Sequence, residues 1–133
     1  MLTLRLPSIL QSIRAIQPAL SGLPGWMNIP AVKQHDAVLV ASELVTNAII
    51  HGNMGQVDRT VMLNVDIVNE EIVIVVTDEG SGFDLAAIAN PTAEANRELS
   101  SGRGLWVVRS LVETIIVDCA DDQCRVTITI RLS

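Results

Sequence analysis

The spacing of hydrophobic residues changes several times along the chain, and each change marks an element. Leu2, Leu4 and Leu6 alternate with Thr3 and Arg5, which predicts a short strand that Pro7 ends. Ser8 is then placed to cap a helix whose apolar residues Ile9, Leu10, Ile13, Ile16 and Leu20 recur at helical spacing, with Pro18 interrupting its second half. Gly22-Leu23-Pro24-Gly25 breaks that helix, and Trp26–Ile29 follows neither period. A second helix begins after Pro30 and runs to Gly52, where Gly52-Asn53-Met54-Gly55 supplies the stop.

From Thr60 the period becomes two. Val61, Leu63, Val65 and Ile67 face one way and Thr60, Met62, Asn64 and Asp66 the other, the pattern of a half-exposed strand. Asn69-Glu70-Glu71 makes a turn, and the β-branched run Ile72–Val76 reads as an inner strand that carries the chain to Thr77 and Asp78. A turn this short makes the pair antiparallel. Phe83 to Ser101 is polar and interrupted by Asn90-Pro91, as expected of a lid over about 83–101. A helix from Leu105 to about Glu113 follows Gly102-Arg103-Gly104, and two last strands, Ile115–Cys119 and Arg125–Leu132, flank Asp121-Asp122-Gln123. The order β-α-α-β-β-lid-α-β-β predicts an α+β fold, a two-layer sandwich in which a mixed, largely antiparallel sheet carries helices on one face.

Composition narrows the class. At 133 residues and 49% hydrophobic content the chain suits one domain, 1–133, with a sizeable core. A net charge of −6, a single lysine (Lys33) and no basic run argue against binding through nucleic-acid phosphates. The first residues lack the charged start and long apolar core of a signal peptide, and no apolar run approaches a bilayer's thickness, so the expectation is a cytoplasmic protein without direct membrane contact. Two cysteines, Cys119 and Cys124, are too few for a typical zinc site and are expected as reduced core thiols in a hairpin.

Three segments carry chemistry. Glu43, Asn47 and His51 recur four residues apart on a mostly apolar helix, so they share one face. Such a stripe can be a solvated edge, or it can place hard oxygens for Mg²⁺ and a carboxylate able to take a proton. Asp78-Glu79-Gly80-Ser81-Gly82 holds an acceptor at the end of a strand beside backbone that can bend sharply. It suits an amino group such as adenine N6, though a glycine-rich turn alone would look the same. Gly102-Arg103-Gly104 opens a helix, where free N–H groups and the helix dipole attract anions. No G-x-x-x-x-G-K-[ST] occurs, which excludes a P-loop.

Together, Glu43-x-x-x-Asn47-Ala48-x-x-His51-Gly52, Asp78-x-Gly80-x-Gly82-Phe83 and Gly102-Arg103-Gly104-Leu105 resemble the three ATP-binding boxes of the histidine-kinase-like ATPases, the superfamily of gyrase and the histidine kinases. The short chain with a leading strand and helix is most similar to the bacterial anti-sigma factor serine/threonine kinases. The resemblance implies the Bergerat fold, ATP and Mg²⁺ as cofactors, Asn47 as the metal ligand and Glu43 as the base. It also implies Asp78 on the adenine amino group, with Gly80 and Gly82 shaping that wall. Gly102, Arg103 and Gly104 would lie at the phosphates, and Thr127 on the last strand would help hold adenine. The partners it implies are a sigma factor, an anti-sigma-factor antagonist as phosphoryl acceptor, and a possible second copy of the chain. A nucleotide-gated binding module without transfer activity, and a switch kinase with no sigma factor, remain open at this point.

Overall fold

The structure, a computed structural model, describes residues 1–80, 102–120 and 122–133, with the backbone alone for 102–106. Five strands, β1 (Leu2–Pro7), β2 (Thr60–Val68), β3 (Glu71–Asp78), β4 (Thr114–Ala120) and β5 (Gln123–Arg131), form one sheet in the order β1-β2-β3-β5-β4. All four pairings are antiparallel. Helices α1 (Ile16–Ser21), α2 (Ala31–Asn47) and α3 (Gly102–Leu111) complete the two-layer α+β arrangement. No helix among the described residues is long and apolar enough to cross a membrane.

Alternation in the strands decides which face the helices cover. Val61, Leu63 and Val65 of β2, Ile72, Ile74 and Val76 of β3, and Val126, Ile128 and Ile130 of β5 are buried together with Val40, Ala41, Leu44 and Val45 of α2. Asn69 and Glu70 both take positive φ, 50° and 65°, and close the β2–β3 hairpin as a two-residue turn whose twist matches the strands. The result places the middle strand β3 and its neighbour β5 under α2.

Two local readings are corrected. The stretch after Ser8 is a 3-10 helix, Leu10–Ala15, and only then α1. The reason is Pro18, whose ring clashes with the carbonyl four residues back, at Arg14, but which fits the first turn of α1, where an N–H has no helical partner. Ser8 does not cap it. Its Oγ donates to the Arg59 carbonyl at 2.7 Å, across 51 residues of chain. The cysteines are not free core thiols: Cys119 and Cys124 face each other in register in the β4–β5 hairpin, Cα atoms 4.1 Å apart, and are joined as a disulfide. Cys124 is buried while Cys119 is exposed, because β4 is the sheet's edge.

Candidate nucleotide site

The site is built where α2 ends. After Asn47 the helix widens into a π turn, Ala48–Gly52, and the Asn53 N–H reaches back to the Ala48 carbonyl at 2.7 Å. Single π turns of this kind recur at functional sites. Here the turn lays Gly52 on the last residue of β3. A Cβ on Gly52 would overlap the Asp78 carboxylate, with Oδ1 2.9 Å away and the other atoms nearer still. Gly80 in turn leaves no room between itself and the Gly52 carbonyl. Glycine is required at both positions by close approach. The helix-face motif and the strand-end motif, separated in the chain, thus meet at one point.

Glu43 and Asn47 lie one turn apart on α2, and the Asn47 amide donates to the Glu43 carbonyl at 2.7 Å. That bond leaves Asn47 Oδ1 buried with no hydrogen-bond partner, in a side chain that is 0% exposed. A buried acceptor without a donor costs about 1–3 kcal/mol, so natural proteins keep few of them. A hard cation would satisfy it. Among the described residues no three His, Cys, Asp or Glu side chains cluster as a metal site. One buried, unpartnered amide oxygen suits an ion such as Mg²⁺, which takes one or two protein oxygens and fills its remaining positions with phosphate and water. Burial raises the pKa of the Glu43 carboxyl above its ordinary value, the direction a general base needs.

Asp78 ends β3 as expected, but on the core-facing side, continuing the buried phase of Ile72, Ile74 and Val76. Its Oδ1 accepts from the Gly80 N–H at 2.8 Å. Burial raises its pKa, opposed by that hydrogen bond and by the Arg59 charge. A carboxyl with a raised folded-state pKa favours folding while protonated, and that contribution is lost as pH rises through the folded value. An amide in place of the carboxyl would not titrate. The Asp78→Asn variant is therefore expected to gain stability relative to the parent between about pH 4 and neutrality. Urea unfolding of both proteins across that range measures it, and a difference independent of pH would refute it.

The turn after Asp78 is held by a residue that in the sequence stands out only as part of a helix stop. Asn53 is fully buried; its Oδ1 accepts from the Glu79 N–H at 2.7 Å, and its amide donates to Ser8 Oγ at 2.9 Å and to the Thr60 carbonyl at 3.2 Å. The Glu79 carboxylate accepts from the Thr60 N–H. The signal available in the sequence was an Asn directly after the helix-end glycine, a residue type whose short amide bonds readily to backbone.

Thr127 is not brought to the site. It pairs with Val75, whereas Asp78 pairs with Cys124, and along β5 it alternates out of phase with Val126 and Ile128. It therefore lies on the sheet face away from the helices, which corrects the expected contact with adenine. Cys124 holds the position beside Asp78. Gly102, Arg103 and Gly104 form the backbone of the first turn of α3, which packs on α2. Gly82 and the predicted lid lie outside the described residues, as do the side chains of Arg103 and Trp106.

An acid and an orphaned amide on a helix that ends against a strand-end aspartate and its glycine turn, over a five-stranded antiparallel sheet, define a nucleotide-binding domain of the histidine-kinase type. The sequence model of the histidine kinase-like ATPase domain matches residues 6–130, and the chain belongs to that family. More particularly, it is similar to anti-sigma F factors. The one from Clostridium botulinum (strain Eklund 17B / Type B) is 32% identical over 85 residues, 62% of this chain and 59% of that protein. The one from Bacillus subtilis (strain 168) is 31% identical over 96 residues, 71% of this chain and 64% of that protein. The matched stretch thus spans about three fifths of these relatives' own length. Among solved structures, the histidine kinase domain of the blue-light activated histidine kinase from Erythrobacter litoralis EL346 superposes with a TM-score of 0.60 at 17% identity, over 95% of this chain and 61% of that one. The mycobacterial sensor histidine kinase MprB gives a TM-score of 0.56 at 17% identity, over 74% and 71%. These likenesses establish the fold.

Proposed function

We propose that the chain is an ATP-dependent protein serine/threonine kinase that acts as an anti-sigma factor, phosphorylating an antagonist protein and holding a sigma factor inactive. The observation that carries the catalytic part is the unsatisfied Asn47 Oδ1 one turn from a partly buried Glu43 whose proton affinity is raised. The names of the relatives support the regulatory part. Residues 1–133 act as one nucleotide-binding unit, working in the cytoplasm.

In this reading Asn47 binds Mg²⁺, which supplies charge neutralisation on the nucleotide phosphates. Asp78, oriented by the Gly80 N–H, accepts from the adenine amino group, and Gly80 and Gly82 give the base its wall. The α3 N-terminus, with Gly102, Arg103 and Gly104, receives the phosphates through backbone N–H groups. Glu43 takes the proton of the attacking hydroxyl. Phosphoryl transfer asks little more of a protein than this positioning and electrostatic stabilisation.

The test is transfer of labelled phosphate from ATP to a candidate antagonist, with the modified residue identified by mass spectrometry. Serine or threonine is the expected acceptor. Glu43→Gln should lower the transfer rate about 10²–10⁴-fold, the usual worth of a general base, while ATP affinity stays within about twofold. The acid limb of the parent's pH–rate profile should lie above the ordinary glutamate range. Transfer at the parent rate in Glu43→Gln would remove the base assignment. Partner capture that needs ATP but yields no phosphorylated product would identify a nucleotide-gated binding module instead.

A further inference from the structure

The row of residues that runs across the sheet from the proposed adenine acceptor is Asp78 on β3, Cys124 on β5 and Cys119 on β4. Directly opposed residues of antiparallel strands point to the same face, with Cβ atoms about 4.5–5.5 Å apart. Cys124 is 1% exposed and Asp78 is 2% exposed, so both lie on the covered face. The sulfur bridge between Cys124 and Cys119 therefore continues the row that begins at Asp78, and its outer half, Cys119, is open to solvent at the sheet's edge. A bridge of such short span closes a loop of only a few residues and restricts the unfolded chain less than a bridge across a long loop would. Its position next to Asp78 is what distinguishes it. Disulfides that form in reducing compartments are usually transient and sense redox state.

We infer that Cys119 and Cys124 form a thiol–disulfide modification site in the wall of the nucleotide pocket, through which a dithiol reductant lowers affinity for adenine nucleotide. The inference rests on the nucleotide reading above. In the chemical step a thiolate of the reductant attacks the exposed Cys119 sulfur and expels Cys124 as thiolate, which takes a proton from solvent. The reductant's second thiolate then attacks its own sulfur in the mixed disulfide and releases Cys119. Two electrons pass to the protein, and the dithiol leaves as a disulfide. Reduction has two effects beside Asp78. It frees the tip of the β4–β5 hairpin from its cross-link, and it gives Cys124 an S–H that can donate to the Asp78 carboxylate, in competition with the adenine amino group.

The experiment measures ADP binding with Mg²⁺ by calorimetry on the air-oxidised protein, on the same protein after dithiothreitol, and on Cys119→Ser, with thiols counted under denaturing conditions. No reactive thiol before reductant and two after it are expected, together with affinity at least threefold tighter in the oxidised form. Cys119→Ser should bind as the reduced parent does and should not respond to dithiothreitol. Equal affinity in the two forms, two free thiols in the oxidised sample, or a Cys119→Ser protein that still responds would each overturn the inference. Failure of every form to bind ADP would instead refute the nucleotide reading, and the inference with it.

Discussion

Replacing Asn47 by leucine, Asn47→Leu, is expected to abolish metal-dependent nucleotide binding and at the same time to raise the melting temperature of the unliganded protein. The two effects have one cause. Asn47 Oδ1 is buried without a donor, and a side chain of nearly the same shape with no polar atom removes the desolvation cost of about 1–3 kcal/mol that this acceptor imposes. Leucine also favours helix over asparagine by a few tenths of a kcal/mol. The bond from the Asn47 amide to the Glu43 carbonyl is lost, but that carbonyl keeps its helical acceptor role. A net gain of about 1 kcal/mol corresponds to a few degrees in a domain of this size. ATP binding should fall at least tenfold in the presence of Mg²⁺ and become insensitive to EDTA. A variant that melts lower than the parent and still binds ATP in a Mg²⁺-dependent way would show that Oδ1 is neither orphaned nor a metal ligand.

The second large effect is expected at Gly80. In Gly80→Ala the new Cβ would fall inside the carbonyl of Gly52, with Gly52 Cα only 3.0 Å away. Every atom it meets there is backbone, so no rotamer change can relieve the overlap, and the Asp78 turn must separate from the π turn. Overpacking of this kind costs about 1–3 kcal/mol or more. The separation also withdraws the Gly80 N–H from Asp78 Oδ1, which loosens the carboxylate proposed to hold the base. Calorimetry should find ADP affinity reduced by at least tenfold, and urea unfolding should find the domain less stable. Parental values in both measurements would mean that the two glycine segments are not in contact. The contrast with Asn47→Leu is informative: both lose nucleotide, one with a more stable domain and the other with a less stable one.

Much of this was legible from local pattern. The alternation from Thr60 to Ile67, the turn at Asn69 and the run into Asp78 are carried by neighbours in sequence, and they fold as their period dictates. The same holds for α2, whose polar positions Glu43 and Asn47 stand out against apolar neighbours. What escaped depends on partners far along the chain. Ser8 had the chemistry of a helix cap, but the Arg59 carbonyl and the Asn53 amide compete for it, and their proximity exists only after β1 pairs with β2. Asn53 was opaque for the same reason. Thr127 was a different kind of miss. Its phase relative to Val126 and Ile128 places it on the outer face, and strand parity outweighs the likeness to a threonine in other proteins. Cys124 beside Asp78 required the β3–β5 register, which no period encodes.

The bonds through Asn53 have a practical outcome for anyone handling this polypeptide. Ser8, just past the first strand, is tethered through a single amide to the Glu79 N–H, so the leading segment acts as a brace for the bend that follows Asp78. A purification tag or trimmed start that pulls on those opening residues would be felt at that bend, however remote from it they look on paper.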